Sequence, residues 1–250
     1  VSFEVAMESL GGHAFYLGFN ELQLGRGETI GDTARVMSRY VDGIMARVYK
    51  HSTLEELAKY ADVPVINGLS DLSHPVQILA DLMTIWEKKK RLEGLKLAFI
   101  GDGNNVCNSL LVGCSTFGMN MSVACPEGFE PYQTYVQIAK ANAEKSGSNI
   151  EILRDPYEAV KNADVVYTDV FVSMGQDAEK QRRLSAFFPK YQVNQELFSA
   201  ASRDAIFMHD LPCHREEEVQ SAVIDSERSA AWDQAENRLH STRGLLYLLL

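Results

Sequence analysis

The chain is an α/β protein by its pattern, with two doubly wound parallel-sheet lobes joined by interdomain helices. Three observations lead there. Strand-length apolar runs alternate with amphipathic helical stretches; the rhythm pauses at a long helix opening near residue 74 and restarts at residue 95; and a glycine-rich turn, Gly101-Asp-Gly-Asn-Asn105, stands where a buried strand hands over to a helix. With 250 residues there is room for one large domain or two of ordinary size.

In order, residues 1–10 read as the middle of a helix; they lack an initiator Met and resemble neither a signal nor a transit peptide. Residues 13–18 form a short strand candidate. Residues 29–41 place Ile30, Ala34, Met37 and Val41 on one helical face, and residues 43–48 are apolar and strand-length. A helix over 53–61 and a strand over 63–67 complete a βαβ rhythm. From His74 to about Lys89 a longer helix buries Leu79, Leu82, Met83 and Trp86, and its closing run Lys88-Lys89-Lys90-Arg91 reads as a solvated end that compensates the helix dipole. The second series has strands at 95–100, 121–125, 165–170 and 205–209, with helices up to Phe117 and across 132–145. A last helix from about Glu236 to Leu250 has an apolar end to bury. The expected lobes are residues 1–88 plus 236–250, and residues 89–235.

Composition narrows the partners. Lys and Arg number 24 against 34 Asp and Glu, a net charge of −10 that opposes non-specific attraction to nucleic acid or an anionic bilayer, so an anionic ligand must be held locally. Cys107, Cys114, Cys125 and Cys213 lack metal-site spacing and read as reduced thiols of a cytoplasmic protein. No apolar run approaches the length of a membrane helix.

Four constellations carry candidate chemistry, each beside a structural reading. The Gly101 turn fails as a dinucleotide fingerprint, since Val106 takes the third glycine position and no acidic residue follows at a strand end to hold a ribose. A nicotinamide-dependent oxidoreductase would rest on this turn alone. It is either a plain strand-to-helix turn or a place where the Asn104 and Asn105 amides enter a ligand crevice. His74-Pro-Val-Gln77 opens a helix, where imidazole and amide donors suit an anion or a polarised carbonyl; a lone His there also serves as an ordinary structural hydrogen-bonding residue. Arg35, Arg39 and Arg47 are candidate cations, Arg47 the least like a surface charge because it falls within an apolar strand pattern. Asp169 and Ser173 follow a strand and suit an ammonium ligand, or form an Asx or Ser turn. Finally His209, Asp210, Cys213 and His214 crowd one strand end; a thiolate nucleophile at Cys213 would lack a third orienting group.

These segments, taken in order, resemble the ornithine carbamoyltransferase family over nearly the whole chain. The matching stretches are Gln23-Leu-Gly-Arg-Gly-Glu, Asp32-Thr-Ala-Arg-Val, Pro64-Val-Ile-Asn-Gly-Leu, His74-Pro-x-Gln77, Gly101-Asp-Gly-Asn-Asn105, Asp169-x-x-x-Ser-Met-Gly175, His209-x-Leu-Pro212 and Glu236-Asn-Arg-Leu239. The resemblance implies transfer of the carbamoyl group of carbamoyl phosphate to the side-chain amine of L-ornithine, with no metal or organic cofactor, in a homotrimer or multiple of trimers. It further implies that Arg47, His74, Pro75, Val76, Gln77, Asp210, Leu211 and Arg238 hold carbamoyl phosphate. Gln23 would reach a neighbouring subunit's site, and Asn105, Asp169, Ser173 and Met174 would bind ornithine. His74, Arg47, Asp169 and Asp210 are the catalytic set so expected.

The chain departs from the family pattern twice. The Ser-Thr-Arg-Thr-Arg phosphate loop that precedes the segment matching Val1-Ser-Phe-Glu is absent, with the first strand and helix, so the expected phosphate lobe lacks its first βα unit. His-Cys-Leu-Pro becomes His209-Asp210-Leu-Pro, so that Asp210 and Asp169 would meet in one site and repulsion would raise one pKa unless a cation lies between them. Lesser departures are Val76 for Cys, Phe171 for Trp and Glu216 for Gly. Two alternatives stay open: a non-catalytic paralogue, and a carbamoyltransferase for another amine such as putrescine.

Overall fold

A computed structural model of the chain describes residues 1–18, 27–173 and 176–250. They form two compact units, Val1–Ala80 with Arg238–Leu250, and Asp81–Asn237.

The first unit contains α1 (Ser2–Ser9), α2 (Ile30–Met37), β1 (Ile44–Arg47), α3 (His51–Tyr60), β2 (Val65–Leu69), the opening of α4 (Pro75–Lys89) and the end of α11 (Ala231–Leu249). The two strands pair in parallel, Ile44 against Val65 and Arg47 against Leu69. Thr29 starts α2 by accepting from the Asp32 N–H, which satisfies one of the donors a helix leaves open at its start. The core gathers Ala6, Ile66, Val76 and Leu246, with Phe3, Met7, Leu239 and Leu245 packed against it. The strand expected at residues 13–18 does not form; that stretch is irregular, with Phe15 and Tyr16 exposed. Among the described residues its apolar side chains find no strand to pair with, and alternation alone makes no strand.

The second unit is a five-stranded parallel sheet. Its elements are β3 (Lys96–Ile100), α5 (Asn105–Thr116), β4 (Asn120–Ala124), α6 (Gln133–Ser146), β5 (Ile150–Leu153), α7 (Pro156–Val160), β6 (Val165–Tyr167), α8 (Lys180–Phe187), α9 (Gln195–Ser199), β7 (Ile206–Met208) and α10 (Ser221–Ile224). The strands lie in the order β5-β4-β3-β6-β7 and every pairing is parallel. Strands covered on both faces read as continuous apolar runs, as β3 and β6 do. The core on one side includes Phe171, Phe187, Tyr191, Phe198 and Phe207, with the Phe171 and Phe187 rings stacked at 4.8 Å.

Four expectations change here. Strand β5 carries an exposed Glu151 at the sheet edge, which hides it from an apolar-run reading. Helix α11 begins at Ala231, five residues before the expected start, because its first turns bury polar side chains that break the apolar pattern: Gln234 bonds the Asp81 carboxylate at 2.7 Å and Asn237 bonds Thr84 at 2.9 Å. The basic run is not simply solvated. Lys88 pairs with Asp233 at 2.5 Å, and Lys89, whose side chain is 10% exposed, pairs with Asp204 at 3.0 Å. The division between units falls inside α4 and α11 at Ala80 and Asn237, where residues 88 and 236 were expected.

One backbone approach sets how the β3 turn passes the α6 approach. A Cβ on Gly103 would stand 2.1 Å from the Pro131 nitrogen and 2.3 Å from the Glu130 carbonyl carbon, so only glycine fits. Gly103→Ala is expected to cost about 1–3 kcal/mol of stability, the usual price of forcing atoms into a packed site. In a urea titration this appears as a lower midpoint with unchanged slope.

Candidate active site

In the first unit the chain leaving β2 is tied down before α4 begins. Ser70 and Ser73 close a tight turn, the Ser70 N–H donating to the Ser73 carbonyl at 2.9 Å; Asn67 donates to the Ser73 hydroxyl at 2.9 Å, and His51 Nδ1 meets the Ser70 hydroxyl at 2.8 Å. This delivers His74 and Gln77, 4% and 1% exposed, to the first turn of α4, whose N–H groups favour an anion. Arg238 of α11 donates to the Gln77 side-chain oxygen. Burial first, then the charges of Arg238 and Arg47, push the His74 imidazole down to about 3, so it is neutral at physiological pH. The cluster combines a neutral imidazole, an amide, two guanidinium groups and a helix N-terminus, the donor set for a small dianion with a polarisable carbonyl.

In the second unit the sheet reverses its winding between β3 and β6. A parallel sheet opens a crevice at the carboxyl ends of its strands where strand order turns back, and three loops meet there. Asn104 caps α5, its Oδ1 accepting from the N–H groups of Val106 and Cys107 at 3.1 Å each; that leaves its amide to donate to Asp169 Oδ2 at 2.6 Å across the reversal. Asp169 Oδ1 accepts from the Val170 N–H at 2.6 Å. After β7 comes Asp210. Burial, then the negative charges of Asp169 and Asp81, raise its carboxyl well above the usual range, and its carboxylate comes within 4.8 Å of that of Asp169.

Neighbouring groups fix these loops. Arg183, 5% exposed, pairs with Asp102 and donates from Nε to the Phe171 carbonyl at 2.7 Å, joining the β3 turn to the loop after β6. Burial outweighs that guanidinium and lifts Asp102 to about 6. His209 is fully buried; its Nδ1 accepts from the Leu211 N–H at 2.9 Å, so the proton sits on Nε2, which faces Glu218 Oε1 at 3.2 Å. Asp169, His209 and Asp210 bring potential ligand atoms within 4.8 Å of one another. The Nδ1 lone pair is already engaged by Leu211, however, so the ring has none left for a cation there.

Family models account for nearly all of the chain. Residues 1–87 match the aspartate/ornithine carbamoyltransferase carbamoyl-P binding domain, and residues 93–249 match the Asp/Orn binding domain of the same proteins. The chain belongs to the aspartate/ornithine carbamoyltransferase family. Ornithine carbamoyltransferase of Pyrococcus horikoshii is 59% identical over 250 residues, covering all of this chain and 78% of that protein; that of Bacillus subtilis is 55% identical with the same coverage. Among solved structures, ornithine carbamoyltransferase from Pyrococcus furiosus superposes with a TM-score of 0.96 at 58% identity, over 99% of this chain and 79% of the other. Anabolic ornithine carbamoyltransferase from Campylobacter jejuni gives 0.94 at 41% identity, over 99% and 82%.

Within this carbamoyltransferase chain the expected site residues fall into the two clusters. His74, Gln77, Arg47 and Arg238 group in the first unit, and Asp169 and Asp210 in the second. Arg47 is exposed at the end of β1, contrary to its apolar strand pattern, because alternate residues of that strand face outward. Val76 is 1% exposed in the core and has only backbone to offer a ligand, and Pro75 has no N–H. Asn104, not Asn105, makes the bond to Asp169. Ser173 lies beside the loop, its N–H donating to Gln176 Oε1 at 2.9 Å, and Leu211 adopts φ +57° after Asp210. Gln23 and Met174 lie outside the described residues. Cys213 is no thiolate, since burial raises its thiol. Sequence reasoning missed Arg183, Asp102 and Glu218; a buried arginine on a polar helix leaves no periodic signal, and only the Asp in the Gly101 turn pointed that way.

The His74 shift has a sign that can be tested. An imidazole depressed in the fold contributes stability above its ordinary value of 6.5, lost as pH falls from there toward about 3. Unfolding free energy is expected to fall with a one-proton slope, about 1.4 kcal/mol per pH unit, across that range. His74→Asn should remove this component in denaturant titrations at several pH values.

Proposed function

We propose that the protein transfers the carbamoyl group of carbamoyl phosphate to the side-chain amine of L-ornithine, giving citrulline and phosphate. The observation that carries this is the neutral, buried His74 flanked by Arg47 and Arg238 at the start of α4, in the unit that matches a carbamoyl-P binding domain. The acidic crevice of Asn104, Asp169 and Asp210 in the unit that matches an Asp/Orn binding domain supports an amine acceptor. An acceptor bearing a second carboxylate instead of an amine would meet only negative charge from Asp169 and Asp210.

The roles follow from charge development. Arg47, Arg238 and the α4 N–H groups hold the phosphate dianion, and Gln77 orients Arg238. His74, neutral, donates a hydrogen bond to the carbonyl oxygen and gains strength as that oxygen becomes an oxyanion. The amine must shed a proton to attack, so its lone pair forms the new C–N bond; the C–O bond to phosphate then breaks, and phosphate leaves with the second amine proton. Rate should therefore rise toward alkaline pH.

We also read the protein as a cytoplasmic homotrimer. Four unpaired cysteines support a reducing compartment, and Tyr247 and Leu248, 76% and 81% exposed at the chain end, support burial against another subunit. Among the described residues no helix is long and apolar enough to cross a membrane. Sedimentation giving a monomer would remove the trimer from this reading.

Citrulline formed from carbamoyl phosphate and ornithine is the direct test; turnover with putrescine and none with ornithine would change the acceptor. Arg238→Ala should raise KM for carbamoyl phosphate about 10- to 150-fold, the equivalent of one charge-assisted hydrogen bond. His74→Asn should lower kcat about 10²- to 10³-fold, as loss of an oxyanion donor does.

A further inference from the structure

Asp210 brings a second carboxyl group beside that of Asp169, within 4.8 Å. Asp169 is 8% exposed and the Asp210 side chain 12%. A carboxylate oxygen of each comes within 4.8 Å of the other, and two ionised carboxylates that close and that poorly hydrated repel, which favours a proton on one of them. Among the described residues no lysine or arginine pairs with either of them. The groups facing them are the Asn104 amide, the Val170 N–H, the Tyr167 hydroxyl, the His209 ring, and the acids Asp81 and Asp102. His209 supplies no proton, since its Nδ1 lies 3.7 Å from Asp210 and already accepts from Leu211. Asp210 Oδ1 is buried with no hydrogen-bond partner. A doubly ionised pair would thus bury two like charges among neutral donors.

We propose that Asp169 and Asp210 hold one proton between them in the empty site, and that the side-chain ammonium of the acceptor takes the place of that proton. This deepens the reading of ornithine as acceptor and rests on it. The exchange conserves charge: one carboxylic acid and one carboxylate become two carboxylates and one ammonium, and the displaced proton passes to solvent. In the reaction the ammonium N–H breaks, an Asp210 O–H forms, and the freed nitrogen lone pair attacks the carbamoyl carbon. The pair is then ready for the next exchange. Asp210 so becomes the residue that selects a cationic acceptor, because a neutral side chain in that place gives the pair no counter-ion.

Isothermal titration in buffers of different ionisation enthalpy, with inorganic phosphate replacing carbamoyl phosphate, reads the exchange directly. Ornithine should release one proton per molecule bound at neutral pH; 2-aminopentanoate, the same acid without the side-chain amine, should release none. Asp210→Asn should bind ornithine with no release. In the ligand-free protein the infrared stretch of a buried protonated carboxyl should be present, and absent from both Asp210→Asn and Asp169→Asn. Binding of ornithine without proton release, release undiminished in Asp210→Asn, or no such infrared band would each overturn the proposal. If citrulline forms while the proton count is zero, the exchange alone falls; if ornithine does not bind, the acceptor assignment falls with it.

Discussion

Between β3 and β6 the winding of the five-stranded sheet turns back on itself, and the hydrogen bond from Asn104 to Asp169 spans that reversal. Much of the second unit serves this contact. Asn104 can present its amide outward because its oxygen is committed to capping α5. Gly103 lets the turn lie against the Glu130–Pro131 backbone, and Thr168 ties the end of β6 to the Ile100 carbonyl at 2.6 Å. Arg183 closes the arrangement by holding Asp102 on one loop and the Phe171 carbonyl on the other. A backbone topology thus becomes a charge distribution: carboxyl groups from two strands are brought together with neutral donors around them.

The two units solve opposite electrostatic problems by burial. In the first, desolvation and two guanidinium groups keep His74 uncharged, so the site for an anion gains an uncharged donor suited to a developing oxyanion. In the second, desolvation and neighbouring acids favour the protonated form of the Asp210 carboxyl. An overall charge of −10 is compatible with binding a phosphate dianion because the cations that matter are few and placed. The bulk field governs partners at a distance, not a ligand held at a helix N-terminus.

Buried polar contacts also hold the opening of α11 beside α4 in the second unit. Gln234 bonds both the Asp81 carboxylate and the Tyr167 hydroxyl, and Asn237 bonds Thr84 and Glu87. Such a network, with its members mutually satisfied, fixes helix register more narrowly than apolar packing alone. It also explains why a pattern search starts α11 too late, since the buried face of its first turns is polar.

The α/β class, the two series of strands and helices, and most of the site could be read from the chain, because strand ends and helix starts carry short local signals: the Gly101 turn, His74 before Pro75, Asp169 after an apolar strand. The family resemblance pointed to the same residues, and the domain matches bear out the family. What no linear pattern carries is which side chain wins when several stand together. Asn104 rather than Asn105 meets Asp169 because capping geometry turns it that way, and Arg47 is exposed because strand alternation turns it outward. Lys88 and Lys89 are paired because Asp233 and Asp204, distant in sequence, fold beside them. Local propensity is written in neighbours along the chain, whereas burial, pairing and protonation depend on neighbours through space.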